Sequence, residues 1–164
     1  MQFSTQLVPL ASQHVQQACS LGQSLAAWFG DDEGLRQMRA GLNRADGYVA
    51  LRGDELVGFI TYDIVFPETW EITWLAVAES MHRQGIGRLL VAHVVGAAAN
   101  AGAAMITVKT LADTHPSPEY ARTRAFYQAL GFCRLAVLPE IWGPANPCLM
   151  MARFCPGESD SEGC

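Results

Sequence analysis

The sequence has few charged residues and no basic surplus. Only 16% of its 164 residues are charged, and 16 acidic residues against 11 lysines and arginines give a net charge of -5. Because proteins that bind nucleic acid neutralise phosphates with clustered Lys and Arg, this balance argues against a nucleic-acid partner. Half of the residues are hydrophobic, which excludes a disordered or fibrous chain. We therefore expect one domain over residues 1–155 and a flexible tail over residues 156–164.

The cysteines lack the spacing of a metal site. None of the five forms a C-x-x-C pair, and none stands at metal-ligand spacing from a histidine. We predict that no metal is bound and that the thiols are reduced, as in a cytoplasmic protein. Cys133 and Cys148 lie in apolar segments and are predicted to be inert packing residues, whereas Cys164 is predicted to be exposed.

We expect neither a signal peptide nor a membrane span. No positively charged region precedes an apolar run within residues 1–19. The most hydrophobic stretch, residues 89–108, contains His93, Asn100 and two glycines. A buried helix followed by a strand explains this stretch better than a transmembrane helix, so no membrane partner is expected.

The hydrophobic pattern alternates between helical and strand periods. Helical spacing predicts helices over about residues 12–29, 33–43, 85–101 and 119–130. Apolar runs and two-residue alternation predict strands over about residues 3–8, 48–51, 55–66, 70–78, 105–110, 132–138 and 147–154. Ser12 is expected to cap the first helix, and Gly131 to close the last. This order predicts an α/β fold, with a central mixed sheet of about seven strands flanked by about four helices.

A glycine-containing turn follows the strand predicted over residues 70–78. It reads His82-Arg83-Gln84-Gly85-Ile86-Gly87-Arg88 and leads directly into a helix. Its two glycines let the backbone approach a ligand, and the helix N-terminus favours an anion such as a pyrophosphate. A Rossmann turn needs a third glycine where Leu90 stands, and a Walker A loop needs a Gly-Lys-Ser/Thr ending that is absent. A turn that only connects two elements is the alternative.

At these residues the sequence resembles the GNAT superfamily of N-acetyltransferases. The family's pyrophosphate loop reads Q/R-x-x-G-x-G/A and follows a strand similar to Leu75-Ala76-Val77. His82 stands where Gln or Arg is usual, at a position that contributes mainly its backbone N–H. The resemblance implies acetyl-CoA as the co-substrate. It assigns cofactor binding to Leu75, Ala76, Val77, His82, Arg83, Gln84, Gly85, Ile86, Gly87, Arg88 and Phe126.

A second family signature covers the last predicted helix. Phe126-Tyr127 followed by Gly131-Phe132 matches F-Y-x-x-x-G-F, whose tyrosine protonates the departing CoA thiolate. A phenol with a pKa of about 10 is an adequate acid for a thiolate whose conjugate acid has a pKa of about 8.5. The alternative is that Tyr127 only anchors the helix to the sheet. An Asn common seven residues earlier in the family is replaced by Tyr120.

Glu71 is the candidate general base. It stands fourteen residues before Gly85, the spacing found in family members that acetylate histones, where the glutamate acts through a water. A solvated carboxylate at the end of a strand is the equal alternative. His115 is an alternative base or acceptor contact, but a surface loop residue is the favoured interpretation. Arg122 and Arg124 are expected to line the edge of the CoA 3′-phosphate or to face solvent, and solvent is favoured. Candidates for the acceptor pocket are Trp28, Phe29, Trp142 and Asp63.

The resemblance implies an N-acetyltransferase that moves an acetyl group directly from acetyl-CoA to a primary amine of a small molecule or peptide. The alternative is a non-catalytic domain that binds or senses acyl-CoA. Loops that bind acceptors differ between members of one fold, so the sequence does not specify the amine. Homodimers are common in the family, and the sequence does not decide the oligomeric state.

Overall fold

A computed structural model of the protein describes residues 4–29 and 32–156. The strands are β1 (Gln6–Pro9), β2 (Asp46–Arg52), β3 (Glu55–Phe66), β4 (Thr69–Val77), β5 (Met105–Leu111), β6 (Cys133–Leu138) and β7 (Cys148–Phe154). The helices are α1 (Val15–Ser24), α2 (Ala26–Phe29), α3 (Asp32–Leu42), α4 (Ile86–Asn100) and α5 (Pro118–Ala129). Single 3₁₀ turns cover Ser12–His14 and Glu79–Met81. The predicted α/β class, with a mixed sheet of seven strands and four main helices, is confirmed.

The described chain forms two compact units, of which the first lies within residues 1–63 and 72–94. Its strands follow the order β1-β2-β3-β4, with β1 and β3 both antiparallel to β2. Alternating apolar residues of these strands pack against the apolar faces of α1 and α3. The resulting core includes Ala18, Met38, Leu42, Val49 and Phe59.

The second unit lies within residues 64–71 and 95–164. The strand order continues from β4 as β5-β7-β6, and β7 runs antiparallel to both of its neighbours. Helix α5 packs against β5. Strand β5 is almost wholly buried, as its apolar and β-branched composition predicts.

Several predicted boundaries near the N-terminus are wrong. Instead of one helix over residues 12–29, the chain breaks at Leu25, whose φ of -106° and ψ of 41° are not helical. Ser12 begins a 3₁₀ turn rather than capping a helix, and the ring Nδ1 of His14 accepts from the Ala11 N–H at 3.0 Å. Strand β1 ends at Pro9, one residue beyond the predicted end, and an edge strand tolerates a proline there. Phe3 lies outside the described residues.

The end of α5 has the predicted geometry. Gly131 follows the helix with a φ of 85°, a left-handed conformation that glycine adopts without a steric penalty. The N–H of Phe132 donates to Tyr127 O and that of Gly131 to Gln128 O, both at 3.0 Å. These bonds form a Schellman motif, which satisfies the last carbonyls of the helix. The predicted role of Gly131 is therefore confirmed.

The cysteine predictions have mixed outcomes. Cys148 is buried, as predicted, but Cys133 is exposed, as are the next two residues of β6. Cys164 lies outside the described residues, as does all of the predicted tail beyond residue 156. Within the described ranges, no helix is both long enough and apolar enough to cross a membrane.

Candidate functional site

In the first unit, the turn after β4 presents a row of backbone amides. Arg83 and Gly85 both have positive φ, at 62° and 82°. Helix α4 then starts at Ile86, and Gly85 O accepts its first bond from the Leu89 N–H at 2.9 Å. Ile86 and Leu90 are buried and anchor this end of α4. The turn is therefore held at a fixed helix N-terminus.

The amides of this turn divide into two groups. The N–H groups of Met81 and His82 donate to Ala78 O at 2.8 Å and to Glu79 O at 3.1 Å. In contrast, within the described chain no backbone carbonyl accepts from the N–H groups of residues 83–88. Consecutive unpaired amides at a helix N-terminus form a site for an anion, because they provide both hydrogen bonds and a positive dipole end. We call residues 83–88 the amide turn.

The ring of His82 hydrogen-bonds to the last residue of β4, Val77. Its Nε2 lies 2.9 Å from Val77 O, and because a carbonyl only accepts, the ring carries its proton on Nε2. The edge of the ring meets Trp28, with the centroids 5.8 Å apart. The backbone N–H of His82, which the resemblance assigns to the cofactor, is instead bonded to Glu79 O. The side chain of Ala76 lies in the core, so only its backbone is available to a ligand.

In the second unit, Glu71 is paired with a residue that sequence reasoning missed. Lys109 Nζ lies 2.7 Å from both carboxylate oxygens of Glu71. Thr107 Oγ1 also approaches Oε2 at 3.4 Å. The side chains of Lys109 and Glu71 are only 27% and 18% exposed. Glu71 is therefore not the freely solvated carboxylate of the alternative interpretation, but a partly buried member of an ion pair.

Tyr127 combines a buried ring with an accessible hydroxyl. The residue is 4% exposed, and its ring lies edge-on to Phe126 and Phe132, at centroid distances of 5.1 and 5.3 Å. Burial raises the pKa of the phenol well above its usual value. Of the buried polar side-chain atoms described, only Thr110 Oγ1 is without a partner. The Tyr127 hydroxyl, which has no hydrogen-bond partner among the described residues, must therefore reach accessible space.

Arg124 does not face solvent, and the prediction that it does is wrong. It is 8% exposed and donates from Nη1 to Leu111 O at 2.8 Å and Ala112 O at 3.2 Å. Charge-assisted bonds to carbonyls at the end of β5 offset the cost of burying the guanidinium. Arg124 therefore fastens α5, and with it Tyr127, to the end of β5. Arg122 is exposed, as predicted.

The remaining predicted base and acceptor-pocket residues each have their own surroundings. His115 Nδ1 accepts from the Ser117 N–H at 3.3 Å, and Ser117 in turn caps α5, so this histidine shapes its own loop. Trp142 is exposed in the loop between β6 and β7. Asp63 lines a cavity beside α3. The structure does not describe the side chain of Phe29.

Comparisons with known proteins agree with this fold. The model of the acetyltransferase (GNAT) family matches residues 15–132. The chain belongs to this family. It is also 38% identical over 69 residues to the uncharacterized N-acetyltransferase YvbK of Bacillus subtilis (strain 168). That match spans 42% of this chain and 44% of the relative, less than half of each.

Solved structures share the fold over nearly the whole chain. A protein from Desulfovibrio desulfuricans, described as of the GNAT family, has a TM-score of 0.81 at 20% identity and covers 93% of this chain and 100% of its own. An aminoglycoside 6'-N-acetyltransferase complexed with coenzyme A has a TM-score of 0.73 at 22% identity, covering 94% and 99%. The ribosomal-protein-S18-alanine N-acetyltransferase from Escherichia coli has a TM-score of 0.74 at 17% identity, covering 98% and 100%. At these identities the likeness concerns the fold.

Proposed function

We propose that the protein transfers an acetyl group from acetyl-CoA to a primary amine of a small molecule or peptide. The observation that carries this proposal is the amide turn, whose unpaired N–H groups suit a pyrophosphate. Arg83 and Arg88 add positive charge at the same helix end. A structural neighbour is complexed with coenzyme A, which supports the same ligand here.

The chain's own groups have distinct roles in this proposal. Acetyl-CoA supplies an activated thioester when it is bound. The amide turn holds the pyrophosphate, and backbone groups of Leu75 and Val77 bind the pantetheine arm. A backbone N–H near Val77 stabilises the oxyanion that develops as the amine attacks the carbonyl. Neither family signature contains a cysteine, so neither supplies a nucleophile for a covalent acyl-enzyme intermediate.

Two side chains move protons in the proposed reaction. Glu71 accepts a proton from the attacking ammonium through a water, so that a neutral amine attacks. Tyr127 donates its phenolic proton to the departing thiolate, and the proton that the new amide nitrogen loses restores the phenol. Burial keeps the proton on this oxygen at physiological pH, but by raising the phenol pKa it also makes Tyr127 a weaker acid toward the departing thiolate.

One observation favours a second function, the binding or sensing of acyl-CoA without catalysis. Lys109 occupies both oxygens of Glu71, so a water must compete with an ammonium for the proposed base. A chain that binds acetyl-CoA through the amide turn but has no accessible base is suited to sensing. The accessible hydroxyl of Tyr127 favours the enzyme.

We expect acetyl-CoA to release free thiol in the presence of a suitable amine. The measurement is a thiol-release screen against free amino acids, polyamines, aminoglycosides and peptides with free N-termini. N-acetylated forms of the active acceptors serve as controls, because they lack the attacking lone pair. Tight acetyl-CoA binding with no thiol release from any amine would support the sensor and contradict the enzyme.

Glu71→Gln is expected to lower the rate mainly near neutral pH. At higher pH more of the acceptor is already deprotonated, so the defect should shrink as the pH rises. The measurement is a pH–rate profile of kcat for wild type and variant, with an acceptor from the screen. Thr107→Val is the matched control, because it removes the hydroxyl contacts to Glu71 Oε2 at 3.4 Å and to Trp70 O at 3.5 Å but keeps the carboxylate, and it should keep the wild-type profile.

A structural role for the Glu71–Lys109 pair predicts a different result. Glu71→Gln would then leave Lys109 partly buried without a counter-charge and lower the melting temperature. Any loss of rate would not vary with pH. A pH-independent defect therefore rejects Glu71 as the base.

A further inference from the structure

A cavity of about 320 Å³ lies within the first unit, between the end of α3 and strands β3 and β4. Its lining residues come from these elements: Gly41, Arg44, Ala45, Asp63, Thr73 and Trp74. Pockets for small molecules start at about 300 Å³, so the space suits a ligand of amino-acid size rather than a large one. Asp63 was predicted as an acceptor residue, whereas Arg44 and Trp74 were not.

Gly41 creates the room in which Trp74 lies. A Cβ at position 41 would stand 2.9 Å from the indole Nε1, closer than such atoms come in proteins. Glycine inside a helix costs about 1 kcal/mol relative to alanine, so α3 gives up helix stability at this position. Because residue 41 has no side chain, the indole of Trp74 lies against the helix and forms one wall of the cavity.

The cavity carries two opposite charges that do not neutralise each other. Asp63 and Arg44 are exposed, and neither forms an ion pair with any described residue. Arg44 Nε donates to Ala40 O at 3.3 Å, which holds the guanidinium along α3. The hydroxyl of Thr73 is hydrogen-bonded to that of the buried Thr61 at 2.7 Å. This bond fixes the part of the cavity wall that β4 forms.

We propose that this cavity binds the acceptor, and that the acceptor is a free amino acid. Its ammonium pairs with Asp63, its carboxylate pairs with Arg44, and Trp74 packs against its aliphatic or cationic part. A simple amine leaves Arg44 unpaired and a simple acid leaves Asp63 unpaired, so the zwitterion uses both charges. The identification as acceptor rests on the proposed acetyl transfer, but the binding itself does not.

The test measures binding without acetyl-CoA. Standard free amino acids are titrated into the full chain by calorimetry, each beside its carboxamide and its N-acetyl form. We expect at least one amino acid to bind, and both blocked forms to bind at least about tenfold more weakly, because each has lost one charge. Asp63→Asn and Arg44→Met should each weaken binding by a similar factor.

Two further variants make the result specific. Gly41→Ala places a methyl group against the indole and should also weaken binding, although alanine favours the helix. Asp54→Asn removes an exposed carboxylate from the β2–β3 turn, outside the cavity, and should bind like wild type. Equal binding by wild type, Asp63→Asn and Arg44→Met would overturn the proposal.

The two proposals fail in different ways. If acetyl-CoA is turned over with polyamines or peptides while no amino acid binds, the acetyl transfer stands and the amino-acid site is wrong. If amino acids bind through Asp63 and Arg44 but no thiol is released, the site stands and its role as the acceptor site is wrong.

Discussion

Replacing Gly87 with Glu is expected to abolish the rise in melting temperature that acetyl-CoA causes in the wild-type chain. A ligand present at about a hundred times its Kd stabilises the native state by about 2.7 kcal/mol, which raises the melting temperature by roughly 5–10 °C. Gly87 is the second residue of α4, within the amide turn. Glutamate at this position adds bulk and a negative charge where the pyrophosphate is proposed to bind.

The same helix offers a matched control. Gly96 also lies in α4, is exposed, and has no atom within 4 Å of a Cβ built on it. Gly96→Glu therefore makes the same chemical change away from the helix N-terminus and should keep the full shift. Thermal melts of the three proteins with and without acetyl-CoA make the comparison. A folded Gly87→Glu variant with an undiminished shift would mean that the amide turn is not the phosphate site.

Tyr127→Phe is expected to reduce kcat by about a hundredfold or more, the usual scale for loss of one proton-transfer group. The phenyl ring keeps its edge-on contacts with Phe126 and Phe132, so the fold and the affinity for acetyl-CoA should change little. Only the accessible hydroxyl is lost. An equal loss in kcat and kcat/KM, with an unchanged Kd for acetyl-CoA, would identify an interaction made in the transition state.

The pH dependence gives an independent check on Tyr127. Because burial raises the pKa of this phenol above about 10, the proton stays on the oxygen through the ordinary range of assay pH. The wild-type rate should therefore not fall through ionisation of Tyr127 below about pH 10. Tyr48→Phe, which removes a hydroxyl from β2, should leave kcat unchanged. A Tyr127→Phe variant with wild-type kcat would exclude the acid role.

The elements that were predicted well have strong local signals. Strand β3 has the predicted bounds, because its apolar run starts after the Gly53-Asp54 turn and ends before Pro67. The end of α5 was equally clear, since only a left-handed residue closes a Schellman motif with this geometry and Gly131 supplies it. The break at Leu25 had no such signal, because its neighbours continue the helical period.

The contacts that were missed join residues far apart in the sequence. Lys109 meets Glu71 because β5 neighbours β4, yet helix α4 separates the two strands along the chain. A lysine within the β-branched run of β5 was the only hint, since charge in a buried strand needs a partner. Nothing in the sequence indicated that Arg124 is buried, because an arginine in a helix usually faces water. Which carbonyls it reaches depends on how α5 packs on β5.

The positive φ of Arg83 bears on when the amide turn is ordered. An arginine in the left-handed region is less stable than a glycine would be, by roughly 1 kcal/mol or more. Such strain persists only where the surrounding structure holds it, so the fold itself supplies the free energy that keeps Arg83 in this region. For an anion that binds here as proposed, the cost of ordering this residue belongs to folding rather than to binding.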